Sequence, residues 1–144
     1  MHHCEGALIT CEDFRLHQRK DGRNYVAEFV KKLGMDCDLI TRGGAVQDIV
    51  RPPQQGFRES IFRDEGVSDK IHKAGTIILL NHEDCGAYAS FKFASRKKEL
   101  AQHHEDLHSA KKILLDKFPG KQIKLYFAEL EPGSSDVFTI KEVL

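Results

Sequence analysis

Short apolar runs alternate along this chain with longer stretches in which apolar residues recur every three or four positions, and that alternation predicts strands separated by helices. Ala7 to Thr10 is an apolar run of strand length that enters Cys11, as a buried central strand would. Asn24 is placed to cap a helix in which Tyr25, Val26, Phe29, Val30 and Leu33 form one stripe, with Gly34 to end it. Cys37 to Thr41 reads as a second strand, and Gly43-Gly44 lets the chain turn sharply on leaving it. Arg51 to Gly56, with Pro52 and Pro53 inside it, reads as a loop at the sheet's edge, where pocket walls are often made. Ile61, Phe62, Glu65, Ser68 and Ile71 carry a looser helical pattern that stops near Gly75, and Thr76 to Leu80 is a β-branched and apolar third strand. A helix is predicted within Phe91 to Phe118, from Leu107, Ala110, Ile113, Leu114 and Phe118, and Pro119-Gly120 breaks it. Ile123, Leu125 and Phe127 alternate as a fourth strand, and Val137 to Ile140 adds a short fifth.

Strands that alternate with helices predict an α/β fold: a mostly parallel central sheet of four to five strands, flanked by helices and joined by right-handed crossovers. In such open sheets ligands bind beyond the carboxyl ends of the strands, where the strand order switches direction. A length of 144 residues, 40% of them hydrophobic, supports a single domain over residues 1–144. Lys and Arg number 22 against 22 for Asp and Glu, so no net field draws the chain to nucleic acid or to an anionic membrane. No apolar run approaches the length of a membrane span, and Met1 to Thr10 lacks the basic start and long apolar centre of a signal peptide. The expectation is a cytoplasmic protein, where cysteines stay reduced and more often serve metals or catalysis than disulfides.

Cysteine placement then carries the chemistry. Cys11 follows the first strand, with Asp13 and Arg15 at alternate positions after it, and His82 and Cys85 follow the third strand. Two thiolates and one imidazole form a donor set that selects zinc, and three protein ligands leave the fourth tetrahedral position open, as in catalytic sites. Two thiolates also cancel the zinc charge, so a bound water would need help to ionise. Asp13 can accept a hydrogen bond from that water and orient it, and Arg15 can hold Asp13 by a charge-assisted contact.

The pair Cys-x-Asp-x-Arg and His-x-x-Cys resembles the signature of the β-class carbonic anhydrases. The continuation Cys85-Gly86-Ala87 is similar too, as is the arginine of Thr41-Arg42-Gly43-Gly44 after the second strand. The motif resemblance runs from about Leu8 to Tyr88; beyond it the order of elements alone agrees. It implies zinc on Cys11, His82 and Cys85, with Asp13 and Arg15 managing the fourth position. It further implies reversible hydration of carbon dioxide to bicarbonate by a zinc-bound hydroxide, in a homodimer or a higher multiple. In some members the aspartate moves onto the metal when the arginine releases it.

Two departures from the family pattern matter. The glutamine that usually precedes the second strand, and donates a hydrogen bond to substrate oxygen, is missing from Lys32 to Asp38. The usual Arg-Asn-Ala-Gly after that strand is here Arg42-Gly43-Gly44-Ala45. Gln47, Gln54 or Gln55 could replace the lost amide. The helical N-terminal arm that many relatives wrap around a partner is also missing ahead of the first strand. Two alternatives therefore stand beside carbon dioxide hydration: a hydrolase of carbonyl sulfide or carbon disulfide using the same hydroxide, and a non-catalytic zinc-binding or regulatory homologue. Tyr25 and Phe14 are candidate pocket walls. Cys4 and Cys37 are expected to be structural, His104 and His108 to lie on a solvated helix face, and His2 and His3 to form a loose terminus that picks up metal adventitiously. His103 receives no role.

Overall fold

The computed structural model describes residues 2–144 as one five-stranded sheet with helices on both faces. The strands are β1 (Gly6–Thr10), β2 (Cys37–Thr41), β3 (Thr76–His82), β4 (Gln122–Leu130) and β5 (Phe138–Glu142), in the order β2-β1-β3-β4-β5. All neighbours are parallel except β4 and β5, which close one edge as an antiparallel pair. The helices are α1 (Tyr25–Leu33), α2 (Gln47–Val50), α3 (Phe57–Val67) and α4 (Arg96–Lys117).

Alternation along the strands sorts the core into two layers. Ala7, Ile9, Ile77, Leu79, Leu125 and Phe127 face the side covered by α2, α3 and α4, where Ile49, Ile61, Leu107 and Leu114 meet them. Leu8, Ile78 and Leu80 face the other side, where Tyr25, Val26 and Phe29 of α1 cover them. Strands β1 and β3 are buried along their whole length, which is why each is a nearly unbroken apolar run. The Asn24 side chain caps α1 by accepting the Ala27 N–H at 2.9 Å, and Gly34 ends it in the left-handed region at φ 69°.

Several boundaries move from their expected places. β3 continues through Asn81 and His82, so the first motif residue after the apolar run is the strand's last residue. The long fourth helix begins only at Arg96, because Ser95 caps it and a 3-10 segment (Gly86–Phe91) occupies the stretch after Cys85. The looser pattern after Ile61 resolves into α3 and a π-helical turn (Ser68–His72), ended by Lys73 at φ 58°. α2 is too short to leave a periodic signal.

Glu65 of α3 is fully buried, and neither carboxylate oxygen has a hydrogen-bond partner. Burial pushes its pKa up to about 8, against the pull of Lys121 and with the help of Asp69 and Asp38. The folded chain thus holds this proton more tightly than the unfolded one. The contribution to stability is full below the ordinary carboxyl value of 4.5 and is lost as pH rises toward 8. Denaturant unfolding across that range is expected to show falling stability in the native chain and a flatter profile in Glu65→Gln.

Candidate metal centre

The chain runs from β1 through α1 to β2 on one side of β1, then returns to β3 on the other side, so the gap between the carboxyl ends of β1 and β3 is the switch point of the sheet. Thr10 pairs with Leu80 in that register, which sets Cys11, one residue beyond β1, beside His82 at the end of β3. Cys85 returns to the same place through the turn Glu83-Asp84, with Asp84 at φ 58°. The thiols of Cys11 and Cys85 and a ring nitrogen of His82 lie within 4.8 Å of one another, and all three side chains are buried.

Geometry and donor chemistry both fit zinc. Two Zn–S bonds of about 2.3 Å at the tetrahedral angle hold their sulfurs about 3.8 Å apart, and Cys11 Sγ and Cys85 Sγ stand at 3.9 Å. Nδ1 of His82 faces the Glu83 carbonyl at 2.8 Å and donates its proton there, which fixes the tautomer and leaves Nε2 with a free lone pair. That Nε2 is buried with no hydrogen-bond partner, an expensive condition unless an electrophile fills it.

The two sulfurs stand in hydrogen-bonding contact, with either able to donate. The contact with Cys85, helped by the Gly44 amide, lowers the Cys11 pKa against the effect of burial. The neighbouring negative sulfur and burial push Cys85 up, although the amides of Ala87 and Tyr88 favour its thiolate. A bound cation would release the proton of that contact, and those amides would then support both thiolates.

Asp13 lies beside the cluster, with Oδ2 3.8 Å from His82 Nε2. Its carboxylate accepts from the Arg15 backbone N–H at 2.9 Å and from Arg15 Nε at 3.1 Å and Nη2 at 2.8 Å. Burial raises its pKa, but the Arg15 contacts outweigh burial and keep the carboxyl below its usual range. Arg15 in turn donates to the Asp84 carboxylate at 3.1 Å, the Asp84 carbonyl at 2.9 Å and the Ser135 carbonyl at 2.9 Å, and lies over the Phe138 ring.

Several supports left no mark in the sequence reading. Near Cys11, the His17 ring meets the Cys11 carbonyl at 2.7 Å, and the amide of Arg42 donates to the Thr10 carbonyl at 3.0 Å. Glu99 of α4 accepts the Asp84 amide at 2.5 Å. Behind the centre, Asn81 donates to His103 at 3.0 Å, and Tyr88 donates to Asp106 at 2.6 Å, which also pairs with Arg51. Burial holds His103 neutral by lowering its pKa to about 3. Apart from His17, six residues from Cys11, these partners are 15 to 55 residues apart, so only the fold brings them together.

The remaining expectations separate. Phe14 is 75% exposed and walls nothing within one chain, because its neighbours Asp13 and Arg15 take the inward side of the turn. Tyr25 is buried edge-on against Phe138, which stands edge-on to His82, so Tyr25 backs the centre through one intervening ring. His108 is exposed and half-buried His104 offers it a backbone carbonyl at 2.8 Å, which agrees with a solvated face. Gln54 and Gln55 are exposed on their loop, whereas half-buried Gln47 lies against Gly44. Cys4 and Cys37 sit at the opposite end of the sheet. Burial and the charges of Cys4, Glu5, Asp36 and Asp38 push the Cys37 thiol up to about 11, as suits an inert side chain.

A five-stranded sheet with its cysteine and histidine donors at this switch point is the architecture of a β-carbonic anhydrase. The chain belongs to the family described as "putative carbonic anhydrase", whose model matches residues 1–137. It is 33% identical over 125 residues to an uncharacterized protein of Rickettsia bellii and 29% identical over 125 residues to one of Rickettsia conorii. Those alignments cover 83% of this chain and 71% and 63% of the relatives. Among solved structures it resembles a carbonic anhydrase from Streptococcus mutans, with TM-score 0.58 and 16% identity over 96% of this chain and 81% of that one. It also resembles one from a study of two tetrameric β-carbonic anhydrases of Sordaria macrospora, with TM-score 0.60 and 15% identity over 99% and 82%. At such identities the structural likeness speaks for the fold.

Gly44 holds two loops together across this centre. Its φ is 82°, and a Cβ there would stand 3.0 Å from Ala87 Cβ and 2.7 Å from Gln47 Oε1. Gly44→Ala is therefore expected to cost about 1–3 kcal/mol, read by chemical denaturation, and to weaken metal retention after dialysis.

Proposed function

We propose that this protein is a zinc enzyme that hydrates carbon dioxide reversibly to bicarbonate, with Cys11, His82 and Cys85 holding the metal. The observation that carries the reading is the partnerless Nε2 of His82, facing two thiols at zinc spacing beside a carboxylate already engaged by arginine. Zinc would supply Lewis acidity and make a water nucleophilic near neutral pH. The protein's own groups do the rest. Asp13, kept ionised by Arg15, acts only as an acceptor and orients the attacking water's proton away from its reactive lone pair. Arg15, held by Asp84 and Ser135, would keep that carboxylate from ligating a bound zinc, so that solvent could take the remaining place. Gln47, next to the loop whose amide faces Cys11, is the side-chain amide best placed to replace the missing glutamine against substrate oxygen.

The reading carries a reducing compartment with it, the cytoplasm, because oxidation of the Cys11–Cys85 pair would destroy the donor set. No helix among the described residues is long and apolar enough to cross a membrane. It also carries a homodimer or higher multiple. Support comes from the unpaired edge of β2, the shallow apolar groove that Leu39 shares with Val26 and Val30, and the exposed ring of Phe14 next to Asp13 in the chain.

Metal analysis of protein purified without added zinc, joined to stopped-flow carbon dioxide hydration, tests the proposal. Stoichiometric zinc and acceleration over buffer are expected. Cys85→Ser should lose the metal at this centre. Asp13→Asn should keep the metal and lose activity by about 10–100-fold, and Gln47→Ala should lose on the order of a hundredfold. Zinc-loaded protein that leaves carbon dioxide untouched but hydrolyses carbonyl sulfide or carbon disulfide would move the substrate assignment. Inactivity toward all three, with unfolding on metal removal, would make this a binding or regulatory homologue, the reading that the missing glutamine favours.

A further inference from the structure

A second set of metal-binding side chains gathers at the amino end of the sheet, on the far side of β1 from Cys11. Cys4 precedes β1, Asp38 is the second residue of β2, and His72 ends the π-helical turn. Their ligand atoms lie within 4.8 Å of one another, and all three residues are half-buried. The five-residue length of β1, about 16 Å, separates the two ends of the sheet, so this cluster shares no ligand with the first.

The backbone prearranges it. The Cys4 amide donates to the His72 carbonyl at 3.1 Å, and the Glu5 and Gly6 amides donate to the Asp36 carbonyl at 3.0 and 3.2 Å. Lys73, in the left-handed region, turns the chain sharply after His72. Both carboxylate oxygens of Asp38 face His72 Nδ1, at 2.7 and 2.9 Å, so the carboxylate and the ring nitrogen already converge. The ring of His2 stands 5.0 Å from that of His72, within reach as a further donor. Glu5 and Asp36 flank the cluster in the chain and add negative charge.

We propose that Cys4, Asp38 and His72 form a second site, for a zinc-like divalent cation, with His2 or solvent as the fourth donor. A thiolate, an imidazole and one carboxylate suit a borderline-soft ion of tetrahedral habit and discriminate against magnesium and calcium, which want oxygen cages. A bound cation displaces to solvent both the Cys4 thiol proton and the proton held between His72 Nδ1 and Asp38, and ties three segments together: the chain before β1, the start of β2 and the turn after α3. Its role is that of a clip on the end of the sheet opposite the first centre.

Zinc equivalents retained after dialysis, in the native chain and in Cys4→Ser/His72→Ala, decide the matter. Two equivalents falling to one supports the site. One equivalent falling to none also supports it and sinks the Cys11 centre instead, so the two failures are distinguishable. Equal stoichiometry in the two proteins overturns the proposal. Asp38→Asn, which preserves shape, should give the same loss of one equivalent; if it and the double variant both keep the native count, with unchanged far-UV circular dichroism, no second site exists.

Discussion

Register between β1 and β3 is the constraint from which the centre follows. Both strands are buried on both faces, and the side chains of each alternate between two separate core layers. A slip of one residue would exchange Leu8 for Ile9 and Ile78 for Leu79 across the sheet, so packing of the whole domain opposes it. The pairing of Thr10 with Leu80 is thereby fixed by hydrophobic packing along both strands, which on one face also includes Cys11 and Cys85. Cys11 and His82 inherit their proximity from it. This separates stability from chemistry: the strand interiors set the position, and the residues one step beyond them are free to be polar.

Polar residues beyond the strand ends are costly to bury, and the structure handles each differently. The first sulfur pair sets two polarisable atoms in contact and surrounds them with backbone amides. Asp13 is neutralised by Arg15, and Asp106 by Arg51 and the Tyr88 hydroxyl. His82 Nε2 has no such partner among the described residues. What sets it apart from other buried atoms without a partner, such as His103 Nε2 and Asn81 Oδ1, is that it faces two thiols at zinc spacing, and that combination marks a place for a cation.

Much of this was legible before any coordinates. The stripe from Tyr25 to Leu33 with Asn24 and Gly34 at its ends is local information, and α1 follows it residue for residue. Five strands and their mostly parallel order were readable from apolar runs separated by helical spacing. Cys11, His82 and Cys85 were readable as candidates because the first directly follows one apolar run and the others lie just past another, and the fold brings the three together. What stayed hidden depends on contacts distant in sequence. Asp84 and Ser135 meet Arg15 across 69 and 120 residues. His72 lies in a π-helical turn whose irregular winding breaks the period that would have placed it near Cys4 and Asp38. Phe14 was misjudged for a local reason: a 3-10 turn cannot point three successive side chains inward, and Asp13 and Arg15 claim that side.

Arg15 bridges three loops, at the end of β1, after β3 and between β4 and β5. Its Nε and Nη2 hold the Asp13 carboxylate while Nη1 holds the Ser135 carbonyl, so a single guanidinium sets both the carboxylate and a surface hairpin far along the chain.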